Sequence, residues 1–113
     1  MLPARSALRS AEGPWHADAV VLGDGTGYLV KSNLGTLDNA HTYQLWALTG
    51  TSRISAGILG PKLRTTAFMV AGELWGLALT EERAGGVVTT TNPPVVVGKL
   101  ASPLVAPNSP SDT

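Results

Sequence analysis

The residues of this chain that are capable of chemistry are few and scattered. His16 and His41 are its two histidines, and it has no cysteine. A zinc site needs several converging nitrogen, sulfur or carboxylate ligands. Neither histidine has a second histidine two or four positions away, so both read as surface or edge residues at strand starts. Asp38, Glu73, Glu81 and Glu82 are the acids that a glycoside hydrolysis would recruit. That reaction needs two carboxyl groups flanking a cleft, about 5 Å apart for retention and up to about 9 Å for inversion. Glu81-Glu82-Arg83 instead reads as a solvated turn at a strand end, with weak ion pairing. Ser52 and Ser55 lie in no Gly-x-Ser-x-Gly elbow, and no base is paired with either. Gly23-Asp24-Gly25-Thr26-Gly27 has the glycines of a phosphate loop, but a phosphate loop must open a helix. The residues that follow, Tyr28-Leu29-Val30, read as a strand, so the segment is a hairpin turn. The expectation is a protein that is not an enzyme, with no catalytic, metal-binding or cofactor-binding residue and no cofactor.

The aromatic residues are a different resource. Trp15, Trp46, Trp75, Tyr28 and Tyr43 are the side chains that would line a sugar-binding platform. Large apolar rings are more often core, and Trp46 and Trp75 are assigned there. Trp15 follows Gly13-Pro14 and stands at an edge; if exposed, it marks a contact surface. The segment Glu82–Pro94 is long and rich in Gly, Thr and Pro. Long loops in small domains are either functional or mere mobile connections.

These residues must be positioned by a single small domain. The 113 residues are 43% hydrophobic and only 14% charged, and eight acids cancel eight bases. A neutral surface offers no general attraction to nucleic acid or to anionic lipid. No window approaches the 18 apolar residues of a spanning helix, and Met1–Ser6 lacks the apolar stretch of a signal peptide.

Short apolar runs between turn residues predict β structure throughout: Trp15–Leu22, Gly27–Ser32, Thr42–Leu48, Arg53–Leu59, Arg64–Val70, Leu74–Thr80 and Val95–Leu100. The expected fold is all-β, an antiparallel β-sandwich of about seven short strands, immunoglobulin-like in general architecture. Residues 1–14 are expected to be a flexible lead or a short helical piece, residues 15–101 the folded domain, and residues 102–113, rich in Pro and Ser, a disordered tail. In Thr42–Leu48 both faces are mostly apolar, which predicts a central strand covered on both sides. In the Leu74 strand, period two puts Trp75, Leu77 and Leu79 on one bulky face. Open edges of such a sheet leave room for a homodimer.

Four pieces of the chain, in order, resemble the C-terminal extracytoplasmic domain of the anti-sigma-K factor family of membrane anti-sigma factors. Tyr43-Gln44-Leu45-Trp46 is similar to the family's Tyr-Gln-Leu-Trp strand, and Ser55-Ala56-Gly57 to its Ser-Ala-Gly strand. Thr80-Glu81 with Gly85-Gly86 is similar to its Thr-Glu-Pro-x-Gly-Gly segment, and Thr91-Asn92-Pro93-Pro94 to its closing Thr-x-Pro-Pro strand. Glu82 stands where the family has proline, and Arg83 is an extra residue before the glycines. The resemblance covers about residues 15–100.

The resemblance implies a regulator on the extracytoplasmic face of a bacterial cell membrane. In the family, a cytoplasmic region that binds the sigma factor and one transmembrane helix precede this domain. A site-1 protease and then an intramembrane protease release the sigma factor, and the outer domain shields or presents the first cut. Partners are therefore expected only through the rest of such a protein: the sigma factor through its cytoplasmic region, the membrane through its helix, and no nucleic acid. The reading from another class is a carbohydrate- or small-ligand-binding β-sandwich module, which requires an exposed aromatic platform beside polar groups.

Overall fold

The computed structural model describes the backbone of residues 4–106 and the side chains of residues 4–100. Eight strands follow in chain order: β1 (Ala4–Arg9), β2 (His16–Val21), β3 (Thr26–Ser32), β4 (His41–Thr49), β5 (Ser52–Gly60), β6 (Thr66–Met69), β7 (Gly72–Arg83) and β8 (Val96–Ala106). There is no helix among the described residues.

All ladders are antiparallel and belong to one sheet, ordered β5-β4-β7-β8-β1-β2-β3-β6. The two end strands, β5 and β6, come into contact without a ladder between them. The all-β antiparallel class expected from the sequence is what the chain adopts. Its eight strands wrap as a single, nearly closed sheet, barrel-like rather than a clear two-layer sandwich.

Alternation builds the inside. In β2, Ala17, Ala19 and Val21 are buried while His16, Asp18 and Val20 are partly exposed. Leu8, Leu29, Leu45, Phe68, Leu77, Leu79 and Val96 join them in one apolar cluster. The Gly23–Gly27 segment makes the β2–β3 turn. Gly25 has φ +93°, which glycine adopts without strain, and Asp24 accepts the Thr26 N–H at 2.9 Å.

Four expectations are corrected. Residues 1–14 are not wholly a flexible lead, because β1 pairs with β2 from Ala4↔Val21 to Arg9↔His16 and buries Leu8 completely. Polar Arg5 and Arg9 hide the alternation of Ser6 and Leu8, which is only two positions deep. The tail is not disordered from residue 102, since β8 runs to Ala106 and pairs with β7 there; residues 107–113 lie outside the described residues. The sixth strand is shorter than Arg64–Val70. Trp75 is not core: it is 43% exposed. The ladder from β7 to β8 loses register between Leu74 and Gly76, so Leu74 and Leu77, three apart, both enter the core and Trp75 between them is turned outward. Period two fails where a strand is irregular.

Candidate functional site

β4 is the central strand that the sequence predicts. It is hydrogen-bonded to β5 on one side and β7 on the other, and Thr42 to Ala47 are all buried. Leu45 and Ala47 point to the main core with Leu77 and Leu79. The alternate residues Thr42, Gln44 and Trp46 therefore face the other way, directly opposite Glu82, Thr80 and Ala78 of β7. Each of these six is also buried, with at most 4% exposed. The outside of the barrel here carries a second, polar buried layer.

The layer is crossed by the segment between β7 and β8, residues 84–95, which runs as a strap. Gln44 holds its near half: Nε2 donates to the Val87 carbonyl at 2.8 Å and Oε1 accepts the Val87 N–H at 3.0 Å. A side-chain amide has the donor and acceptor of a peptide group, so Val87 pairs with Gln44 as it would with a strand. Nε2 also donates to Ser55 Oγ at 2.8 Å, tying β5 to the same point. The two backbone partners fix which end of the amide is nitrogen. Trp46 Nε1 donates to Thr80 Oγ1 at 2.8 Å, so the buried indole has its polar atom satisfied.

Glu82 holds the far half of the strap. Its carboxylate accepts from Thr90 Oγ1 at 2.6 Å and from Asn92 Nδ2 at 2.9 Å, and Asn92 also donates to the Glu81 carbonyl at 3.1 Å. The strap begins with Ala84 N–H on the Ala40 carbonyl and ends with Val95 N–H on the Leu79 carbonyl, both at 2.8 Å. Gly85 and Gly86 have φ of +95° and +77°, and a Cβ on Gly86 would lie 2.6 Å from Ile58 Cδ1 and 3.0 Å from Gln44 Oε1. The close turn onto Gln44 thus requires glycine twice over. Between strap and β5 lies an open cleft of about 570 Å³, with Gln44 and Ser55 at its base and Ile58 and Val88 beside them. Ile58 is 53% exposed and Val88 88%.

A second polar group stands where β4 starts. His41 Nδ1 is 2.6 Å from Asp38 Oδ1, which also accepts the Ala40 N–H at 2.9 Å. The Asp38 carboxylate raises the His41 pKa above its ordinary value, and the bond from His41 holds the Asp38 carboxyl below the usual range. Tyr43 donates its hydroxyl to the Gly35 carbonyl at 2.5 Å. Burial, with the Glu81 charge adding to it, pushes the Tyr43 phenol up. No nucleophile is held against this His–Asp pair, and no group of three or more metal-ligating side chains is found among the described residues.

The residues singled out by sequence fall into place as follows. Tyr43, Gln44, Leu45, Trp46 and Thr80 are buried in β4 and β7. Ser55 is exposed on β5 except for its bond to Gln44, and Ala56 and Gly57 mark the irregularity where the β4–β5 ladder shifts between Leu45 and Trp46. Gly85 and Gly86 open the strap. Glu81 and Pro93 are exposed and line a shallow cleft with His41, while Pro94 is partly buried just before Val95. Gln44, Ser55 and Gly86 meet at one point; Pro93 and Pro94 do not reach it. The reading of Glu81-Glu82-Arg83 as a solvated turn is corrected: all three continue β7, and Glu82 is buried and hydrogen-bonded to Thr90 and Asn92, two anchors that sequence reasoning passed over. An acid at an alternate position of a buried strand was the available signal for Glu82. Trp15, by contrast, is 43% exposed, as its place after Gly13-Pro14 suggests.

No protein-family model, curated protein or solved structure matches the chain.

Proposed function

We propose that this chain is the outer regulatory domain of a membrane anti-sigma factor, a compact cap on the extracytoplasmic side of a bacterial membrane that controls when proteases release a sigma factor. One observation carries the reading. The motif pieces that prompt it, Gln44, Ser55 and Gly86, are far apart in sequence yet form a single clamp that fastens the strap onto β4. The side chains that look most distinctive in the sequence serve the integrity of the fold, as befits a domain whose task is to stay folded until it is cut away or opened. The reading assigns the chain no reaction of its own. The sigma factor, the site-1 protease and the intramembrane protease act on other parts of the full-length protein.

The test uses the full-length membrane protein. Trp46→Ala unfolds the cap by removing its buried indole, and Gln44→Ala loosens the strap. Both are expected to speed release of the sigma factor, Trp46→Ala more strongly, read as reporter transcription and as the appearance of the cleaved fragment. Release that is no faster in an unfolded Trp46→Ala variant than in wild type overturns the proposal.

A further inference from the structure

Trp75 is turned out of the barrel by an irregularity in β7. With Leu77 and Leu79 in the core, regular alternation would bury the indole; the broken register between Leu74 and Gly76 gives its inward place to Leu74. Gly76 permits that irregularity, since a Cβ there would sit 2.3 Å from the Gly98 carbonyl oxygen. Irregularities of this kind re-aim a side chain and are frequent beside functional sites.

The re-aimed indole has particular company. Arg53 pairs with Leu48, Leu48 with Gly76, and Gly76 with Lys99, one cross-strand row over β5, β4, β7 and β8. Trp75 stands by this row in a cleft of about 370 Å³, with Thr51, Ser52 and Leu48 on one side and the two cations, Arg53 and Lys99, in its lining. No acid lines the cleft, although acids and bases balance over the whole chain. β4 and β7, which carry Leu48 and Trp75, are each paired on both sides, while β5, which carries Ser52 and Arg53, is paired on one side only. A ligand here is read by side chains: a flat indole, two hydroxyls and two positive charges.

We propose that this cleft binds an acidic saccharide, one sugar ring lying with its C–H face on Trp75 and a carboxylate held by Arg53 or Lys99. A planar, electron-rich face suits the C–H side of a sugar ring. Arg53 offers a carboxylate a two-pronged donor and Lys99 a point charge. The balanced overall charge disfavours a nucleic acid strand, which needs a broader basic surface. The site does not depend on the anti-sigma reading.

The experiment is titration of the 113-residue chain with oligogalacturonate and with its methyl-esterified form, which keeps the rings and removes the charge. Binding is followed by calorimetry and tryptophan fluorescence. Wild type is expected to bind the free acid at least ten-fold more tightly than the ester, and less tightly as salt is added. Trp75→Ala is expected to lose ten-fold or more for the acid. Arg53→Gln with Lys99→Gln is expected to bring acid and ester to the same affinity. Trp15→Ala, at an exposed tryptophan outside the cleft, is expected to change neither. Thermal melting, and the emission of buried Trp46, confirm that each variant is folded. Absence of binding by wild type, equal binding of acid and ester, binding indifferent to Trp75→Ala, or tighter binding of a single-stranded oligonucleotide would each overturn the proposal.

Discussion

Leucine at position 44 would nearly preserve volume while removing three hydrogen bonds, two to the Val87 backbone and one to Ser55. A buried peptide group that loses its partner costs about 1–3 kcal/mol. Gln44→Leu is therefore expected to lower stability by about 2 kcal/mol in urea denaturation, and to speed amide exchange at Val87 ahead of the barrel strands. The two tryptophans of β4 and β7 should separate sharply. Trp46 is fully buried, so Trp46→Ala is expected to cost about 3–5 kcal/mol, most of the stability of a domain this small. Trp75 is 43% exposed, and its replacement by alanine should cost less than about 1 kcal/mol; equal losses would contradict this placement. The His41–Asp38 contact is linked to pH in a defined direction. The His41 pKa is raised above 6.5 in the folded chain, so its contribution is full below 6.5 and fades as pH rises through the raised value. Asp38 is lowered from 3.8, so its contribution is present above 3.8 and fades as pH falls through the lowered value. The pair thus supports the start of β4 between those limits. Replacing Asp38 with Asn should return the His41 titration, followed by NMR, toward 6.5.

The strap and β1 show how much an element owes to partners distant in the chain. Residues 84–95 carry no ladder of their own, yet Ala40 and Leu79 each hold one of their polar groups, and Gln44 and Glu82 two each. Gly86→Ala forces a Cβ into Ile58 and Gln44 at a φ of +77° that side chains avoid. It is expected to release the strap's near half, with exchange rising at Val87 while Thr90 and Asn92 stay tied to Glu82. The strap was legible as a long Gly- and Pro-rich connection, but its ordering was not, because Gln44 looks like an ordinary strand polar and Glu82 like part of a solvated turn until β4 and β7 are set side by side. β1 was illegible for a related reason: six residues with two arginines carry too short an alternation to stand out, and they become a strand by completing the hydrogen bonds of β2 and touching β8 at Arg9↔Val97.

At the scale of the whole molecule, the seam between β5 and β6 decides the shape. Both strands pair on one side only, whereas β4, β7, β8, β1, β2 and β3 each lie between two neighbours. Amide exchange is expected to be slowest in β4 and β7 and fastest in β5 and β6, and uniform protection around the barrel would mean that the seam is closed by hydrogen bonds. The amino-acid sequence by itself determined the all-β class, the hairpin at Gly23–Gly27 and the buried centre at Tyr43–Trp46, because period-two hydrophobicity and turn glycines act locally. Only the tertiary structure decided that the strands wrap into one nearly closed sheet, that Leu74 displaces Trp75 from the core, and that Gln44 reaches Val87. Those outcomes depend on register between strands distant in the chain, and the local energies that shape each strand are indifferent to which neighbour lies beside it.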